Sequence, residues 1–140
     1  MPATLISADD LTFVKRIESA RIRAGMFDHK GHLRLSWCYL MQSSFAEAHD
    51  RLYATIQFLD RTLMDGTKFH ATVTTAFLRL LNDRLRESPD CDWPGFMERH
   101  PELFRPYKET LHAFYSPERL QSPEARKAFL SPDIAPLPAA

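Results

Sequence analysis

The chain has 140 residues, with 18 Lys+Arg against 18 Asp+Glu, six His, ten Pro and only four Gly. That length suits a single domain able to bury a core without disulfide or metal staples, and an apolar fraction of 44% argues against general disorder. Balanced charge argues against a nucleic-acid partner, and no apolar run reaches the length of a membrane-spanning helix. The first ten residues lack the basic and apolar regions of a secretory signal, and Cys38 and Cys91 form no CxxC pair. Reduced thiols and a cytoplasmic location are the expectation.

Helical period dominates the chain. Ser7 to Asp10 marks a first helix, continued by Leu11, Val14, Ile17 and Arg21 at three- and four-residue steps, with a break at Arg23 to Met26 around Gly25. Asp28 caps a second helix through Gln42, whose apolar residues run nearly all round and place it at the centre. Ser44 and Glu47 form a capping-box pattern ahead of a third helix, with the stripe Phe45, Ala48, His49, Leu52, Ile56, Leu59 and Leu63. Gly66 ends it, and Thr67 is the expected N-cap of a fourth helix from Lys68 to about Arg86, stopped at Ser88-Pro89-Asp90. Short helices are expected at Trp93–Arg99 and Tyr107–Tyr115. Ser116-Pro117 and Ser122-Pro123 begin two capped turns, and Pro132, Pro136 and Pro138 impose an extended end. The expected fold is therefore all-α: one domain with a four-helix core over 7–87 and a short helical, Pro-punctuated segment over 88–140 wrapped on it.

The histidines carry the functional expectation. His29 and His32 fall three residues apart in the first turn of the second helix, and His70 falls in the first turn of the fourth. An up, down, up course of helices two to four brings those helix starts to one end of the bundle, and a short link brings Glu18 of the first helix there too. Helix N-termini disfavour imidazolium, so three neutral rings there suit Fe, Zn, Cu or Ni with open positions for water or substrate. Glu18 is then a fourth ligand or a base, while Arg34, Thr72 and Thr74 contact substrate or a ring nitrogen. The plainer alternative is that the rings donate to loop carbonyls around a helix end. His49 reads as a boundary core residue, His100 and His112 as surface or packing residues, and Cys38 as a small buried hydrophobe.

The segments Phe27-Asp-His29-Lys-Gly-His32-Leu-Arg34 and Phe69-His70-Ala-Thr72-Val-Thr74 resemble those of a family of small, uncharacterised, all-helical bacterial proteins, as does the tail from Tyr115 to Pro138. Glu18 is similar in position to that family's acidic residue in its first helix, whereas Ala71 stands where the family tends to have Glu. The resemblance implies the site without implying a reaction.

The leading functional expectation is a mononuclear metalloenzyme acting on a small-molecule substrate, by oxygen-dependent oxidation or metal-hydroxide chemistry. A metal-free enzyme with His29 or His70 as general base is the alternative within catalysis. A non-catalytic interaction module is the third, with Trp93, Phe96, Phe104 and Tyr107 as contact residues and a homo-oligomer as one outcome.

Overall fold

The computed structural model describes residues 5–23 and 27–140. Its helices are α1 (Ala8–Glu18), α2 (His29–Gln42), α3 (Phe45–Leu63), α4 (Ala71–Glu87), α5 (Trp93–Arg99), α6 (Tyr107–Leu111), α7 (Pro117–Leu120) and α8 (Pro123–Lys127), with a 3-10 turn at Pro101–Phe104. No strand occurs among the described residues, so the fold is all-α. None of the helices is long and apolar enough to cross a membrane. The break expected at Gly25 lies outside the described residues.

The central position of α2 follows from its composition. Leu33, Leu35, Trp37, Cys38 and Tyr39 are completely buried, which a helix can sustain only when neighbours cover it on every side. α1, α3 and α4 all pack on it. Trp93 and Phe96 of α5 are also buried, and the Trp93 ring lies 5.6 Å from that of Trp37. These two aromatics therefore complete the core; of the four proposed contact residues only Tyr107 is exposed.

The first helix ends earlier than its apolar steps suggest. Ala20 takes the left-handed region at φ 58°. The amides of Ala20 and Arg21 then return to the carbonyls of Ile17 and Arg16, the paired bonds of a Schellman stop with alanine in the usual glycine place. This leaves residues 19–28 as the connection to α2, longer than the short link expected. Two contacts fix the outcome: Arg34 bonds Asp10 at 2.7 Å, and Tyr39 donates to Glu18 at 2.6 Å. Both helices advance in the same chain order through these pairs, so α1 and α2 run the same way.

The join between α3 and α4 decides the site. Gly66, at φ 83°, turns the chain where expected. Thr67, however, turns its amide and hydroxyl back to Asp65 Oδ1 (3.0 and 2.6 Å) and accepts no helix amide. The amides of Lys68 and Phe69 both donate to Asp60 Oδ2 at 2.9 Å, and Arg126 Nη1 donates to the carbonyls of Thr67, Lys68 and Phe69. Residues 67–69 are thus clamped as a non-helical strap, and α4 starts at Ala71 with His70, not Thr67, as its N-cap.

The C-terminal segment is laid on this core by Thr72. Its hydroxyl reaches the carbonyls of Ala125 (2.7 Å) and Ala128 (3.0 Å) and accepts the Leu130 amide at 3.1 Å. Ser116 and Ser122 cap α7 and α8 with Pro in the first turn, as their spacing predicts.

Candidate functional site

A cavity of about 370 Å³ opens at the end of the bundle where α2 and α4 begin and α3 finishes. That size is in the range of small-molecule pockets, roughly 300–1,000 Å³. Its wall is largely apolar, with Phe27, Phe69 and Phe77 among the lining residues and Tyr107 at the rim; its polar members include His29, His32, His70, Asp28, Asp60, Lys68 and Thr74. The three histidines and Thr74 expected to converge do line one pocket. Glu18 and Arg34 do not.

Each imidazole is held by local structure. His29 follows the cap Asp28, whose carboxylate accepts the Gly31 amide at 2.8 Å. The His29 ring meets Phe77 edge-on at 4.9 Å and lies 2.9 Å through Nε2 from the Leu103 carbonyl. A carbonyl only accepts, so Nε2 carries the proton and Nδ1 keeps its lone pair. That nitrogen has no partner among the described residues. The His32 ring, one turn on, packs on Phe27 at 5.7 Å and makes no hydrogen bond to a described residue. Burial, reinforced by His29, lowers its pKa to about 4, so the ring is neutral at physiological pH.

His70 is committed twice. Its Nδ1 accepts the Val73 amide at 3.2 Å, capping α4, and its Nε2–H donates to the Leu120 carbonyl at 3.0 Å. Burial lowers this pKa as well. His29 and His70 therefore donate to loop carbonyls around helix ends, as the plainer reading of the sequence has it. No group of three His, Cys, Asp or Glu among the described residues is arranged to hold one metal ion. A three-histidine centre is not preformed among the described residues, because His70 would have to give up one of its two bonds, the helix cap or the Leu120 contact, to join it.

Asp60 was not anticipated. It sits on the last turn of α3, the end at which a helix dipole disfavours a carboxylate, yet it is only 2% exposed. The amides of Lys68 and Phe69 compensate Oδ2. Oδ1 is buried with no hydrogen-bond partner among the described residues. A signal existed in the sequence: Asp60 lies four residues after Ile56, on the inward stripe of its helix. Thr74, 3% exposed, likewise directs its hydroxyl to no described protein acceptor.

The other expected groups have structural partners. Glu18 accepts from Tyr39 and pairs with Arg51 at 2.9 Å, joining α1, α2 and α3. Arg34 pairs with the buried Asp10 and lies over the Phe13 ring. His49 Nε2 lies 2.8 Å from Thr75 Oγ1 in a constellation that resembles a nucleophile and its base. Proton accounting argues otherwise: Tyr53 donates to the Ala71 carbonyl, so Thr75 gives its proton to the short Tyr53 contact and His49 donates to Thr75. Burial raises the Cys38 thiol to about 12, which keeps it an unreactive core residue. Compared with known proteins, the chain matches no family model, no curated protein and no solved structure.

Proposed function

We propose that the protein acts on a small, largely apolar molecule in the pocket between the starts of α2 and α4, with His29 as a metal-free general base. The observation that carries this reading is the His29 ring itself: Leu103 fixes its tautomer and leaves an uncommitted Nδ1 lone pair on a residue lining an apolar cavity. A base oriented by an acceptor on one nitrogen, on a ring that lines a largely apolar pocket, suits proton abstraction. His32 supplies a second neutral ring, and the Thr74 hydroxyl a donor for substrate.

The test needs no knowledge of the natural substrate. In 5-nitrobenzisoxazole a base removes the C3 proton, the ring N–O bond breaks, and a coloured cyanophenolate forms; the proton passes to His29 Nδ1 and then to solvent. Turnover above that of an equal concentration of free imidazole, lost in His29→Gln, is the expected result. Wild type no faster than free imidazole, or a fully active His29→Gln, would overturn the assignment.

A metal-dependent version has one observation in its favour: His29 Nδ1 and the neutral His32 ring, one turn apart on α2, have no partner among the described residues. Elemental analysis after gentle purification decides it. Stoichiometric Fe, Zn, Cu or Ni that falls on His29→Ala and His32→Ala supports a metal, and equally little metal in wild type and variants removes it.

A further inference from the structure

Asp60 is unusual on two counts that bear on what enters the pocket. Its side chain is buried and lines the cavity, and Oδ2 accepts two strap amides while Oδ1 has no partner among the described residues. A carboxylate oxygen removed from water without a donor is costly. The arrangement around Oδ2 cannot relieve this, because the strap at residues 67–69 is held in place from its other side by Arg126. No described residue supplies the missing partner, and the cavity that Asp60 lines is the place where one could bind.

Charge and shape narrow the partner's chemistry. The titratable lining groups are the carboxylates of Asp28 and Asp60, the Lys68 ammonium and the three imidazoles. His32 and His70 are kept neutral by burial. The fixed charges therefore leave an excess of one carboxylate over one ammonium, and Lys68 lies on the exposed strap whereas Asp60 is inside. Phe27, Phe69, Phe77 and the exposed Tyr107 supply aromatic faces and edges of the kind that attract an organic cation.

We infer that Asp60 is the anchor for an organic ammonium group, and that the ligand is a small primary or secondary amine with an apolar, ring-sized body. This rests on the reading of the cavity as a small-molecule site and adds its substrate class. The ammonium donates to Asp60 Oδ1, and the body lies among the aromatic rings within reach of the wall that carries His29.

Benzylamine, benzyl alcohol and benzoate share one body and differ in the charge of the head group. Their binding to the full chain is measured by backbone amide NMR, following the Lys68 and Phe69 signals that report on Asp60. Benzylamine is expected to bind about tenfold more tightly than benzyl alcohol, the scale of one charge-assisted hydrogen bond, with benzoate weakest. In Asp60→Asn, whose amide oxygen still accepts the strap amides, the preference for the amine should shrink to within about twofold. Equal binding of amine and alcohol to wild type, no binding of the amine, or an unchanged preference in Asp60→Asn would each overturn the inference. The wild-type ranking decides the matter even if the variant folds poorly. Failure here with His29-dependent opening of 5-nitrobenzisoxazole intact removes the amine anchor alone. Amine selectivity without any effect of His29→Gln removes the base and keeps the anchor.

Discussion

Acidification from pH 7 to pH 5 should weaken the fold through His32. The ring is neutral in the folded state, with its pKa lowered from 6.5 to about 4 by burial and by His29. In the unfolded chain it takes up a proton near 6.5, so the unfolded state binds more protons throughout the interval between those values. Stability therefore rises with pH in that interval, and the contribution present above pH 6.5 is lost as pH falls toward 4. A shift of this size amounts to about 3 kcal/mol when fully expressed, of which about 2 kcal/mol is lost between pH 7 and pH 5. His70 acts in the same direction. The pKa values of Asp65, Glu102 and Asp133 are lowered, so their stabilisation is lost only as pH falls through the ordinary carboxylate range and below, under the pH 7 to pH 5 comparison. Urea unfolding at pH 7 and pH 5 should show the loss in wild type, and His32→Gln should recover most of it. Identical pH dependence in wild type and variant, or a His32 ring that titrates near 6.5 by proton NMR, would refute the reasoning.

Three further outcomes follow from contacts away from the pocket. Thr72→Val removes the hydroxyl shared by Ala125, Ala128 and Leu130; it should cost about 2 kcal/mol and open the segment after Tyr115 to limited proteolysis, with α1 to α4 still protected. Arg34→Ala strands the buried Asp10 carboxylate and should destabilise by about 2 kcal/mol in urea unfolding, with turnover of 5-nitrobenzisoxazole by the folded protein unchanged. Glu18→Gln should lower stability by disturbing the Tyr39–Arg51 network and leave benzylamine binding as it is; a selective loss of binding would return Glu18 to the site.

Local capping chemistry made much of this fold readable. Asp28, Ser44, Ser116 and Ser122 each cap the helix that their spacing predicts, because a short side-chain oxygen next to an apolar run has few competing arrangements. The gathering of His29, His32, His70 and Thr74 followed from helix order alone. The path of α1 did not, since it turns on Ala20 adopting a conformation that the sequence offers no glycine to mark. Glu18 and Arg34 were misplaced as a consequence: each faces a neighbouring helix instead of the pocket. His70 escaped notice as a cap because imidazole is a rare one, and Asp60 because its role depends on a strap that folds back to its side chain. Tertiary hydrogen bonds decided these positions; periodicity marks only that Asp60 faces inward.

The long-range proton–nitrogen spectrum of the imidazole rings at neutral pH tests the central claim most directly. It should show His29 protonated on Nε2 with a bare Nδ1 in the unliganded protein, the tautomer that the Leu103 carbonyl imposes. His70 should show the same tautomer with its Nδ1 signal moved by the Val73 amide. A proton on His29 Nδ1, or on both of its nitrogens, would leave no base facing the pocket and would contradict the proposed function.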